Sequence, residues 1–396
     1  MRILQINATY SGSTGKIMCE LAQLFEENGH ECYFATPFST DKYDTTHTYT
    51  IGSTLDHRSH AFLSRASGKQ GYFSKGATKG LIKWINEISP DVIITHNLHS
   101  NYININLFFD YVQKNKIKTL AVMHDCWLFT GKCFHFLYSG CDRWKKGCGS
   151  CPQLKLEQPS LFFDKTASVL KDKEKYIAQN ENVEIIAVSE WLANVSKQSI
   201  LKNRPTSVIR NGIDLDTFNI IPSAKEELGF EKDKFIILGM GNKWLAPYNK
   251  ELLDRVINGL SDDELLVIVG CNDEKVAQST DKVKYVGKLN HRELARYYSL
   301  ADVFVNVTKA DSLPTVNMES IACGTPVVTY ASGGSPELVK EGKTGHIVSF
   351  GDVDGIIKSI ATIKENTKAF YSTECTKCAK EDFDKKKNFL KYLSQL

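Results

Sequence analysis

The sequence predicts an α/β chain made of two doubly wound domains, each a parallel sheet flanked by helices. Three observations predict it. A chain of 396 residues exceeds what one hydrophobic core normally organises, so two domains are expected. Short β-branched runs alternate with amphipathic helical patterns along the length, which is the rhythm of βαβ units. Polar and charged residues gather directly after those runs, where open α/β sheets bind ligands.

Composition narrows the class. Charged residues at 24% and hydrophobic ones at 42% describe an ordinary soluble globular protein. A net charge of +3 is too small to argue for nucleic acid, so none is expected as a partner. The opening residues 1–7 read as a strand and not a signal peptide, because polar residues interrupt a short apolar run. No apolar segment reaches 18 residues. The expected location is the cytoplasm, with the eleven cysteines mostly reduced.

Residues 1–7 form the first strand, and a Gly/Ser loop leads into an amphipathic helix through Glu27. Gly15-Lys16 is not a phosphate loop: that motif has Gly where Tyr10 stands and Ser or Thr where Ile17 stands. The loop can still offer N–H groups to a phosphate, which makes Gly12 and Ser13 candidates. Residues 32–36 are a second strand. From Arg58 to Lys83 the chain carries six Lys or Arg and no acid, interleaved with Phe62, Tyr72 and Phe73 and followed by Trp84. Such a face suits an anionic membrane surface, or is simply a solvated helix face.

Residues 91–95 are a buried strand ending in His96-Asn97-Leu98-His99, and residues 119–123 another, ending in His124-Asp125-Cys126-Trp127. Side chains at strand ends are functional positions in this architecture, although a lone His is often structural. In the insertion that follows (126–152), Cys133, Cys141, Cys148 and Cys151 fall within nineteen residues, the last two as a C-x-x-C pair. Four thiolates so spaced suit a structural zinc; disulfides or a cluster, and unligated thiols, are alternatives the spacing leaves open. Further strands are 184–188 and 207–209, and the linker is expected near 216–222.

The second domain opens with strand 235–239, followed by Gly241-Asn242-Lys243-Trp244. Strands 265–270 and 283–287 and an amphipathic helix at 291–300 come next. Strand 303–307 then leads to a loop bearing Asp311 and a helix bearing Glu319. Pro314 suits the first turn of that helix, and Gly324 with Pro326 stops it. Strand 326–330 runs into G-G-S-P-E at 333–337, and helices complete the chain. Two carboxylates beside a helix N-terminus at strand ends suit a ligand carrying both hydroxyls and phosphates.

The stretch 301–348 resembles the donor-site signature of retaining family 4 glycosyltransferases of GT-B architecture. Their pattern is an acid, seven residues, a Glu, then A-C-G-T-P-V-V and G-G-x-x-E; Asp311, Glu319, residues 322–328 and residues 333–337 fill it. The segment H-D-C-W-x-F-T-G-x-C from His124, with its spaced cysteines, resembles an exopolysaccharide and O-antigen subgroup. The resemblance implies two Rossmann-like domains facing a cleft. Residues 1–215 would form the acceptor side, 216–375 the nucleotide-sugar donor domain, and 376–396 a helix crossing back onto the first domain. It implies that Glu319 binds ribose hydroxyls and Asp311 the sugar hydroxyls. The backbone of Ser312, Leu313, Pro314, Thr315 and Val316 would meet the diphosphate and sugar. His124 would lie near the sugar, with His96 and His99 on the acceptor side.

Two departures stand out. The first acid is Asp where the family usually has Glu, one methylene shorter. The family's Arg and Lys-Gly pair after the first strand of the donor domain is missing, leaving Lys243 and Lys250 beside Asn242 as donor-binding candidates. The expected activity is transfer of a hexose from a nucleotide sugar, UDP-galactose or UDP-glucose before GDP-mannose. The expected acceptor is an undecaprenyl-diphosphate-linked saccharide at the inner membrane face, where the protein would sit peripherally. No cofactor is expected to be needed for chemistry. A non-catalytic nucleotide-sugar or glycan-binding protein is the alternative.

Overall fold

The computed structural model describes residues 1–40, 45–222 and 225–396. By its contacts the chain divides into two units, Met1–Ile209 with Phe389–Leu396, and Arg210–Asn388.

The first unit holds β1 (Arg2–Ile6), α1 (Gly12–Glu27), β2 (Glu31–Thr36), β3 (Thr48–Thr50), α2 (Thr54–Ser67), α3 (Lys75–Ile88) and β4 (Val92–Thr95). It continues with α4 (Ile105–Lys114), β5 (Lys118–Met123), α5 (Thr166–Lys173), β6 (Val183–Ala187), α6 (Glu190–Ser196) and β7 (Thr206–Val208). Its sheet is parallel, in the order β3-β2-β1-β4-β5-β6-β7. Helices cover both faces of such a sheet, so its inner strands are apolar on both sides; β4 is buried throughout and β1 from its second residue on. The short edge strand β3 lies beyond the expected elements.

The second unit has β8 (Phe235–Met240), α7 (Gly241–Trp244), α8 (Lys250–Gly259), β9 (Glu264–Val269), α9 (Asp273–Val276), β10 (Val283–Val286) and α10 (His291–Leu300). There follow β11 (Val303–Asn306), α11 (Thr315–Ala322), β12 (Val327–Tyr330), β13 (Gly345–Val348), α12 (Val353–Cys378) and α13 (Lys385–Phe389). The parallel order β10-β9-β8-β11-β12-β13 again reverses direction beside its first strand. Open sheets bind ligands at that reversal.

The unit boundaries differ from the expected 215/216 and 375/376. Residues 210–214 belong with the second unit because Ile213 pairs with Asp384: Ile213 N donates to Phe383 O at 2.9 Å, and Lys385 N to Ile213 O at 3.1 Å. Of the expected C-terminal segment 376–396, only Phe389–Leu396 groups with the first unit. There Gln395 accepts from Ser207 Oγ at 2.9 Å, and Leu396 O from Lys118 Nζ at 3.4 Å.

Candidate functional site

In the second unit the expected donor residues collect at the carboxyl ends of β8, β11 and β12. Trp244 is fully buried, and its indole N–H donates to Val305 O at 2.9 Å, locking α7 onto β11. Buried Asn249 donates to both Lys243 O (3.1 Å) and Val307 O (2.8 Å). Half-buried Lys243 and exposed Lys250, with Asn242 between β8 and Lys243, are thereby tied to the loop after β11.

That loop is fixed from the other side by Gly333-Gly334. Gly334 N donates to Asp311 O at 3.0 Å. Gly333 has φ +60°, and a Cβ there would overlap the Asp311 carbonyl oxygen; only glycine satisfies both conditions. Asp311 Oδ1 in turn accepts from Leu313 N at 3.1 Å. Buried Pro314 precedes α11, which has no side-chain cap and no acid in its first turn. Its positive end at Thr315 and Val316 therefore carries no acid of its own, and the carboxylate that precedes it in the chain is that of Asp311. Among the described residues Ser312 Oγ, Asn317 Nδ2 and Ser335 Oγ are buried there without hydrogen-bond partners, an arrangement that calls for a ligand or water. Glu319, on the second turn of α11, accepts from the buried Tyr298 hydroxyl at 3.2 Å. The Asn317 and Ser335 side chains and Asn249 were not singled out from sequence. A buried Asn carries no periodicity signal that separates it from core.

In the first unit the histidines at the ends of β4 and β5 form a chain with Gln5, a polar residue fully buried in β1. Gln5 Nε2 donates to Met18 O at 2.9 Å, so its Oε1 faces His96 Nε2 at 3.1 Å as an acceptor. His96 Nε2 therefore carries a proton. Burial, reinforced by nearby His124, pushes the His96 pKa well down and keeps the ring neutral, so its Nδ1 is a lone pair. That lone pair accepts from His124 Nε2 at 3.0 Å. Burial lowers the His124 pKa to about 4, against the opposing pull of Asp125. A neutral His124 whose proton is on Nε2 keeps a basic lone pair on Nδ1.

His99 does something else. Its Nε2 meets Asp125 Oδ2 at 3.1 Å, while Asp125 Oδ1 accepts from Trp127 N at 2.8 Å. Burial opposes the Asp125 charge, but His99 and the Trp127 N–H hold its pKa below the usual carboxylate value. Gln70 joins this set, donating to His99 O and accepting from Trp127 Nε1 at 2.8 Å. His99 thus braces the turn that carries His124. Gly12 and Ser13 open α1 after an extended Ser11.

The cysteine insertion brings its four spaced thiols to one place. Cys133, Cys141, Cys148 and Cys151 all line one cavity of about 20 Å³ with Phe136 and Trp144. Yet among the described residues no three His, Cys, Asp or Glu are disposed to hold a metal ion, and all four thiols are free. Their sulfurs are engaged otherwise: Cys148 Sγ accepts from Gly131 N at 3.3 Å, and Cys133 Sγ from Gln153 Nε2 at 3.5 Å. A hydrogen bond from Cys133 holds the Cys151 pKa down. Buried lysines anchor the insertion. Lys132 Nζ donates to the carbonyls of Gln153, Leu154 and Leu156, and Lys173 Nζ to those of Trp127 (2.5 Å) and Thr130 (2.9 Å).

The chain is 25% identical over 267 residues to a protein of Escherichia coli (strain K12) named as a colanic acid biosynthesis glycosyl transferase, WcaC. That match covers 64% of either chain, so just under two thirds of the relative's length. In fold it is similar to sucrose-phosphate synthase of Thermosynechococcus elongatus, with a TM-score of 0.70 at 16% identity over 100% of this chain and 98% of that one. It is also similar to Alr3699/HepE of Anabaena, solved in complex with UDP, with a TM-score of 0.67 at 15% identity and full coverage of both chains. Both units thus have the Rossmann-like form of GT-B proteins. The "Glycosyl transferases group 1" family model matches residues 223–382. The "Glycosyltransferase Family 4" model matches residues 14–217, more than half of the chain, and the chain belongs to that family.

Proposed function

We propose that this protein is a retaining hexosyltransferase. It takes a sugar from UDP-galactose or UDP-glucose, with GDP-mannose next in order, and places it on an undecaprenyl-diphosphate-linked saccharide in O-antigen or exopolysaccharide assembly. The observation that carries the reading is the N-terminus of α11, without a side-chain cap, beside the buried Ser312 hydroxyl that lacks a partner among the described residues, held between the Asp311–Gly334 bond and the Lys243–Asn249 tether. A UDP complex among the fold relatives supports the nucleotide, and the colanic acid relative supports a polysaccharide pathway.

The chemistry asks for charge stabilisation and positioning. The bond from the anomeric carbon to the β-phosphate oxygen breaks, and one from the acceptor oxygen forms on the same face. The acceptor proton passes to the departing phosphate oxygen, so no protein base needs to be regenerated. Negative charge growing on the diphosphate would be met by the Ser312–Val316 backbone, the α11 dipole and Lys243 or Lys250. Glu319 would hold the ribose hydroxyls and Asp311 the sugar hydroxyls, fixing orientation. The Nδ1 lone pair of His124 would accept a hydrogen bond from a substrate hydroxyl. No metal enters the proposed chemistry.

The test is nucleotide release from a panel of UDP-, GDP- and ADP-sugars, with and without a lipid-diphosphate-linked saccharide. Release from one donor only when acceptor is present supports the reading and names the donor. Glu319→Ala should lower kcat/KM by about 100-fold or more, and losing the acceptor for Tyr298 should cost about 1–3 kcal/mol of stability. Absence of release from every donor by folded protein would favour a nucleotide-sugar-binding protein instead.

A further inference from the structure

The first unit carries an apolar surface with a basic rim that the proposed chemistry does not use. On α2, Leu55 and Phe62 are 75% and 69% exposed, and Arg58 and Arg65 alternate with them. Positions 55, 58, 62 and 65 fall three or four residues apart and share one helix face. A second stretch, about a hundred residues further on, exposes Leu161, Phe162 and Phe163 at 49%, 72% and 54%. The two stretches meet. Leu161 N donates to Arg65 O at 2.8 Å. Gly68, which ends α2 with φ +74°, lies so close to the Phe163 carbonyl that a Cβ would overlap it.

Charge on this surface is one-sided. Arg58, Arg65, Lys155 and Lys165 are exposed, and none forms an ion pair with an acid among the described residues. Lys165 Nζ stands 5.8 Å from the Phe163 ring centre. The acids of the same stretches are engaged elsewhere. Glu157 accepts from Phe134 N and His135 N (2.7 and 3.3 Å), Asp164 from Cys151 N and Thr166 N (2.6 and 2.9 Å), and Asp56 from Ser74 Oγ (2.6 Å). The basic and aromatic run at 58–83 contributes only part of this surface. Tyr72 bonds Asp172 (2.5 Å), Phe73 packs against His60 and Trp84 stacks on Tyr49, which leaves Phe62 as the exposed ring of that run.

We propose that α2 and the 161–163 loop together form a docking surface for an anionic lipid bilayer, with the rings entering the headgroup region and the cations flanking them. Exposed apolar side chains ringed by unpaired cations fit that partner. A second copy of the chain fits less well, since a two-fold contact would set this positive rim against itself. The assignment rests on the lipid-linked acceptor reading for its purpose, but not for its test.

The test is co-sedimentation of the full chain with phosphatidylcholine vesicles, with or without about one third phosphatidylglycerol, and with no donor or acceptor present. The expected result is binding to the anionic vesicles only, weakened by salt. It should fall about tenfold in Phe162→Ser/Phe163→Ser and in Arg58→Glu/Arg65→Glu. The thermal melt of both variants, and their nucleotide release with a detergent-solubilised acceptor, should match the unaltered protein. Absence of pelleting, or equal pelleting by both variants, overturns the proposal. So does a concentration-dependent dimer abolished by the Phe162/Phe163 change. Failure of nucleotide release with vesicle binding intact would count against the transferase reading and leave this surface standing.

Discussion

At the scale of residues, three histidines are kept uncharged by burial: His60 and His124, each lowered to about 4, and His96, held well below its ordinary value. In the unfolded chain each takes up a proton near its ordinary pKa of 6.5. Between pH 6.5 and about 4 the unfolded state therefore binds more protons than the folded one, and stability falls as pH falls. Each residue should contribute of order 1–3 kcal/mol across that window. Urea midpoints measured at steps from pH 7.5 to 5 should decline, and His60→Asn should flatten the decline. A midpoint constant down to pH 5 would mean that these rings are charged in the fold. The carboxylates with lowered pKa values, such as Asp125 and Asp164, act below this window. Their stabilisation is lost only as pH falls through the carboxylate range. His124 is legible in the sequence because it stands directly after a β-branched run. Gln5 is not, because a single polar residue in a strand looks the same whether it faces water or a buried imidazole.

At the scale of elements, the donor-type site depends on two loops holding each other. The runs that become β11 and β12 and the stop at Gly324 could be read directly, and the helix forms where Pro314 allows it. The pairing of Gly333-Gly334 with Asp311 could not, because it joins residues about twenty positions apart through backbone atoms. Gly333→Ala tests it. The substitution must hold a Cβ at φ +60° and also displace the Asp311 carbonyl, so stability should drop by of order 2–4 kcal/mol and the donor KM should rise. Gly342→Ala is the control, since Gly342 has φ +68° but nothing within reach of a Cβ. It should show the backbone strain alone, about 1–2 kcal/mol, with donor KM unchanged. If the two variants melt together and keep the same KM, the loops are not coupled as described.

Across the whole molecule, the parallel order of both sheets follows from strand and helix runs that alternate with little ambiguity. Where sequence and structure part, the information is carried by tertiary hydrogen bonds. Pairing of Ile213 with Asp384 moves the unit boundary away from the polar stretch that looked like a linker. Buried Lys132 and Lys173 hold the cysteine insertion through carbonyl groups far along the chain, contacts that its spacing does not announce. Two units with separate sheets and cores need not respond alike to a ligand. A nucleotide bound by the α11 loop should stabilise the second unit by about 2.7 kcal/mol at a hundredfold excess over Kd. Amide exchange with and without UDP should then show added protection at Asn306–Glu337, reaching the strands that carry these loops. The amides of α2 and the 161–163 loop, which bind no nucleotide in this scheme, should exchange at unchanged rates. Protection confined to the first unit would place the nucleotide there and remove Asp311, Ser312 and Glu319 from its site.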